Sequence, residues 1–116
     1  MAALSPFLRS MEGGLIAFWC PGCKCAHAIR VDAPDQPCWG WDRNVTAPTF
    51  SPSILVLGTE PLTEAEYQQE MSGVNIRKPE TICHSFVRAG QIEFLPDSTH
   101  ALSGCAVPMS TWPMGC

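Results

Sequence analysis

Charge is scarce in this chain of 116 residues: Asp, Glu, Lys and Arg together make up 16% of it, well below the quarter that is usual for globular domains. That scarcity argues against long solvated helices and for a compact, loop-rich fold, as do the 11 prolines and 9 glycines. Basic residues are the rarer sign, 7 against 11 acidic ones, giving a net charge of -4. They form no run, so a phosphate-tracking surface is missing and nucleic acid is not an expected partner. Apolar runs such as Ile54-Leu57 are short, far below the roughly 20 residues of a membrane span, so no membrane partner is expected either. The opening MAALSPFLRSMEGG lacks a charged start followed by an apolar stretch of signal length, from which a cytoplasmic setting with reduced thiols is expected. No internal repeat is visible. The length fits one domain over residues 1–116. The cysteine count, 7, is odd, which speaks against a pure disulfide framework.

What is present begins with Cys20-Pro21-Gly22-Cys23. Two thiols flanking a Pro-Gly turn can aim at one ion while backbone amides face their sulfurs, which is half of a tetrahedral zinc site. The other half must come from the distant cluster of Cys83, His84, His100 and Cys105. Cys83 is the best third ligand because its strand position is fixed among apolar neighbours; the fourth is His27, His100 or Cys105, with His27 the nearest in sequence. A closed set of four would make Zn2+ structural, whereas three ligands and a water would make it catalytic. The competing reading is that these cysteines are small buried hydrophobes.

Around that turn the pattern is mostly period two. Leu15-Trp19 and His27-Val31 read as the arms of a zinc-ribbon-like hairpin, and 32–37 as a polar loop. Trp39 and Trp41 fall on one face of an extended segment, either as core and rim or as a platform for a substrate peptide. Pro48-Pro52 reads as a bend into a buried strand, Ser53-Leu57. Thr81-Arg88 and Gln91-Leu95 flank Ala89-Gly90 as a hairpin, with Cys83, Ser85 and Val87 on one face and His84, Phe86 and Arg88 on the other. Pro61-Gly73 is the one helical stretch, with a Thr63-x-x-Glu66 capping box and Gly73 to end it; its weak amphipathicity marks a surface insertion over 61–73. Residues 1–12 carry no periodic signal, and 101–116 read as an irregular tail. The expected fold is therefore small and mostly β, α+β at most.

Catalytic candidates follow from the histidines, of which there are three. A general base near neutral pH is most readily an imidazole, and with His27 assigned to metal the candidates are His84 and His100. Ser98, set between Asp97 and His100, is one candidate nucleophile, with His84 reachable across the hairpin and Asp97 as the orienting acid; Ser53 is the second. The bland alternative for Ser98 is a polar turn whose side chains bond their own backbone.

The segments WCPGCKCAH (19–27), CWGWD (38–42), PTFSPSILV (48–56), CHSFVRAGQIEFL (83–95) and DSTHALSG (97–104) together resemble a family of small phage and prophage proteins. Its members share a CPGC turn, a Trp-x-Trp element, a Pro-Thr-x-Ser-Pro-Ser strand, a Cys-His-Ser-Phe strand and an Asp-Cys/Ser-x-His turn. Relatives occur beside bacterial ubiquitin-like conjugation genes, so the resemblance implies a peptidase acting at the C-terminus of a ubiquitin-like protein or similar tail in a bacterial host cell. The chain departs from the family in its helical insertion and in having Ser98 where many relatives have cysteine, an exchange that does not suit a zinc ligand. The second functional class is a non-catalytic, phage-encoded zinc-binding module that engages a host protein.

Overall fold

A computed structural model describes residues 2–32 and 37–113. Nine strands and one helix follow in the order β1 (Ala2–Ala3), β2 (Leu8–Met11), β3 (Leu15–Cys20), β4 (Cys25–Arg30), β5 (Gly40–Trp41), β6 (Phe50–Thr59), α1 (Glu64–Met71), β7 (Glu80–Arg88), β8 (Gln91–Phe94) and β9 (Ala106–Pro108). They form two antiparallel sheets, β1-β2-β3-β4 and β5-β6-β7-β8-β9, each in sequence order. The mostly-β expectation with one short helix therefore describes the chain.

The sheets meet over one apolar core. Leu8, Ile16, Phe18 and Ile29 come from the first sheet, and Phe50, Ile54, Val87, Ile92 and Phe94 from the second. Phe18 and Phe50 stack across the junction with ring centroids 6.3 Å apart. Alternation along β7 sends Cys83, Ser85 and Val87 into this core while Ile82, His84 and Phe86 stay partly exposed on the other side. The period of two thus assigns neighbouring residues 83 and 84 to opposite faces, and the rest of the molecule is built around that division.

The hairpin after β7 turns at Ala89 and Gly90, both at positive φ (49° and 76°), the backbone that a two-residue hairpin of matching twist requires. The capping box of α1 is present in both directions, and no residue of the helix is buried, so it is a surface insertion between β6 and β7. Two expectations need correction. The first twelve residues supply β1 and β2; β2 joins the sheet through Leu8, which is fully buried, a single anchor too short to show as periodicity. The tail supplies β9, paired with β8, and an isolated bridge from Ser110 to Trp19. Most of the polar loop read at 32–37, and residues 114–116, lie outside the described residues.

Candidate active site and metal centre

On the outer face of β6 and β7 a chain of three side chains comes together. The Ser53 Oγ lies 3.0 Å from His84 Nε2, and His84 Nδ1 lies 3.1 Å from Asp97 Oδ2. With the ring proton on Nδ1 donated to the carboxylate, Nε2 is the acceptor for the serine hydroxyl. The site is open to solvent: the His84 side chain is 26% exposed and that of Asp97 54%.

Each member is placed by backbone pairing. His84 sits opposite Leu55 in the β6–β7 register, which shifts between Phe50 and Ile54; that irregularity brings Ser53, on the strand just before Ile54, within reach of the imidazole. Its carbonyl accepts a hydrogen bond from the Trp39 indole Nε1 at 3.3 Å. Asp97 comes from the turn after β8, where the Ser98 N–H donates to the Leu95 carbonyl and the Thr99 N–H to that of Ile82. This folds the turn back onto β7.

Ser98 occupies a different place from the one a nucleophile needs. It is buried, and its Oγ accepts from the His84 N–H (3.1 Å) and donates to the His84 carbonyl (3.1 Å). Its hydroxyl is thus bound to the backbone of the histidine, not to its ring. His100 also stands apart from the serines: its Nδ1 accepts from the Leu102 N–H, its ring meets Phe94 edge-on at 4.4 Å, and its Nε2 is buried without a partner among the described residues. Trp41 donates to the Asn44 carbonyl and packs on Phe50, and both tryptophans lean on the core.

That orphaned Nε2 points to the second cluster. Cys20, Cys23, Cys83 and His100 bring one ligand atom each within 4.8 Å of one another on the inner side of the molecule. The Cys20 and Cys83 sulfurs are 3.8 Å apart, about the separation of two thiolates bound tetrahedrally at about 2.3 Å from zinc. The Cys23 N–H donates to the Cys20 sulfur, as the Pro-Gly turn should allow. Gly22 is required here: a side chain there would collide with the His100 ring, whose Cε1 lies 2.4 Å from where a Cβ would stand. The Cys83 thiol hydrogen-bonds Cys20 and lowers its pKa against the burial that would raise it, while the same contact raises Cys83. Burial pushes Cys23 up to about 11. A metal would fit this donor set, deprotonating the thiols and satisfying His100.

The structure gathers His100, not His27, with the three cysteines expected to bind metal. His27 forms a separate group with Cys23 and Cys25 and lies under the Phe18 ring at 5.8 Å, because β4 turns it toward the core. Two features escaped the sequence reading: the Ser98 clamp on His84 and the hydrogen bond from Trp39 to Ser53. The Asp-Ser-Thr turn hinted at the first through its tendency to bond backbone; nothing in the sequence signalled the second.

Among curated proteins and among solved structures nothing matches this chain. A family profile described as BubE, bacterial ubiquitination-like system serine protease, matches residues 4–95, a span that holds Ser53, His84 and the three clustered cysteines. With most of its length covered by that match, the chain belongs to the BubE family of serine proteases of bacterial ubiquitination-like systems.

Proposed function

We propose that the chain is a serine peptidase that cleaves after the C-terminus of a ubiquitin-like protein or similar peptide tail, with Ser53 as nucleophile, His84 as base and Asp97 as the acid that orients it. The observation that carries this reading is the unbroken relay from Ser53 Oγ to His84 Nε2 and from His84 Nδ1 to Asp97 Oδ2. The family description supplies the setting.

In this mechanism His84 Nε2 takes the proton of Ser53 as Oγ attacks the carbonyl, and Asp97 stabilises the imidazolium that forms. His84 then gives that proton to the leaving amine, and the C–N bond breaks to leave an acyl ester on Ser53. Water enters, His84 takes its proton, and the resulting attack on the ester releases the carboxylate and restores the serine hydroxyl. Ser98 fixes the backbone from which His84 projects, so it acts by positioning and touches no substrate.

Cys20, Cys23, Cys83 and His100 are proposed to hold a structural zinc. Four protein ligands close a tetrahedral shell, so the ion when bound supplies folding energy. The decisive experiment incubates the protein with tail-extended ubiquitin-like substrates and compares wild type with Ser53→Ala, His84→Ala, Ser98→Ala and His100→Ala. Cleavage that disappears in the first two and persists in Ser98→Ala supports the assignment. Cleavage that survives Ser53→Ala refutes it, and a failure of every protein to cut any such substrate gives way to the binding-module reading.

A further inference from the structure

Beside Ser53 the sheet has an open edge. β5 covers β6 only at Phe50 and Ser51, so among the described residues the stretch from Ile54 to Thr59 is paired on one side alone, by β7. The direction of its backbone groups can be deduced. The His84 N–H goes to Ser98 and its carbonyl to Leu95; the Ile82 N–H goes to Thr99 Oγ1 and its carbonyl to the Thr99 N–H. Both residues thus turn their peptide groups away from β6. Their partners across the ladder, Leu55 and Leu57, belong to non-hydrogen-bonded pairs and must present their own N–H and C=O to the opposite, open side. The row begins at Ser53, whose carbonyl is taken by Trp39.

One further observation marks this edge as a binding surface rather than a bare rim. Leu55 and Leu57 are 51% and 67% exposed, unusual for leucines in the centre of a strand, and by the period of two their side chains share the face of Ser53. Edge strands of this kind are normally blunted by charge, proline or a cover. Here the outward amides and the leucines are continuous with the candidate nucleophile.

We infer that the open edge of β6 is the substrate site: the residues on the N-terminal side of the scissile bond add as an extended strand along Leu55 to Thr59, bonded to the outward N–H and C=O groups of Leu55 and Leu57. The occupant is an unstructured peptide tail, apolar at alternate positions where its side chains meet the two leucines. Strand addition of this kind draws affinity from main-chain bonds and specificity from every second side chain. A helix or a central strand cannot enter, because its own amides are already paired. The inference rests on Ser53 being the nucleophile, and it adds to that reading the class of substrate accepted.

The test uses acetylated hexapeptide boronic acids of alternating leucine and alanine, which esterify an activated serine, in competition with a fluorophosphonate that labels the serine without using the peptide site. Each probe amide is N-methylated in turn. Strand addition predicts that methylation at every second position weakens binding about tenfold, while the intervening positions change it by less than about threefold. Leu57→Pro removes an outward donor without removing a bond to β7 and should weaken the boronate about tenfold while fluorophosphonate labelling keeps its rate. Should that variant not fold, amide exchange on the wild type serves instead: the boronate must slow exchange at Leu55 and Leu57. Labelling of Ser53 with flat sensitivity along the probe, or with unchanged exchange at those amides, overturns the edge site and leaves the peptidase reading standing. Absence of labelling at Ser53 overturns that reading, and the edge site with it.

Discussion

Cys83 and His84 are neighbours in sequence, yet they belong to two sites that differ in almost every physical respect. Cys83 faces inward with Cys20, Cys23 and His100, where one ligand atom from each lies within reach of a single ion and burial holds the Cys23 thiol up to about 11. His84 faces outward with Ser53 and Asp97, where solvent and a substrate can reach the hydrogen-bonded chain. A single strand can serve both because a β-strand alternates its side chains, so the sheet itself separates the proposed metal centre from the proposed nucleophile. The Cys83-His84 pair is thus divided between two clusters. What distinguishes them is the partner that each face supplies: β3 and its Pro-Gly turn on one side, the open strand β6 on the other.

The largest effect should come from the outer site. Ser53→Ala or His84→Ala is expected to lower peptidase turnover by about three to six orders of magnitude with little change in melting temperature, since neither residue packs the core. Asp97→Asn, which keeps the shape but reverses what can be donated to Nδ1, should cost on the order of 10⁴ in kcat, read in the same assay. If either change were to melt the protein instead, the separation of the faces would fail.

The inner site should answer in the opposite way. Elemental analysis is expected to give about one zinc per chain, and Cys20→Ser or His100→Ala should abolish it and lower thermal stability sharply, because a structural zinc contributes on the order of 10 kcal/mol to folding. His27→Ala should leave the zinc content unchanged, a result that separates the two histidines cleanly. Zinc that persists without His100 and departs without His27 would reverse the assignment.

Smaller effects sharpen the boundary. Ser98→Ala removes the hydroxyl that satisfies the His84 backbone and should cost about 1–2 kcal/mol of stability with less than about a tenfold loss of activity, as measured by denaturant melts and initial rates. The smallest concerns α1. The Thr63 backbone N–H, joined by Lys78, holds Glu66 down to about 2 against an ordinary 4.5. A carboxylate lowered in the folded state stabilises fully above its unfolded pKa and loses that contribution as pH falls toward the folded value. The helix cap should therefore weaken between pH 4.5 and about 2, seen as faster amide exchange in α1, and Glu66→Gln should remove that pH dependence.

Local chemistry was legible in the sequence wherever the signal is local. The Cys20-Pro21-Gly22-Cys23 turn, the Ala89-Gly90 hairpin and the Thr63/Glu66 box each depend on residues within a few positions of one another, and each stands as the residue types imply. The opposite faces of Cys83 and His84 followed from alternation alone. Choosing between Ser53 and Ser98 required the β6–β7 register, which shifts before Ile54, and a shift of that kind leaves no reliable mark in composition. His27 was the nearest imidazole to the cysteines in sequence, whereas His100 reaches them only because the turn after β8 folds back over β7. β2 and β9 escaped because short strands at a sheet edge bury too few residues to show a period.

Whether the outward serine reacts while the inward cluster holds metal is decided by mapping a fluorophosphonate adduct on the metal-loaded protein by mass spectrometry. The expected result is one adduct on Ser53, absent from Ser53→Ala and His84→Ala although both variants keep their full complement of zinc. An adduct on Ser98, or labelling that persists in Ser53→Ala, would contradict it.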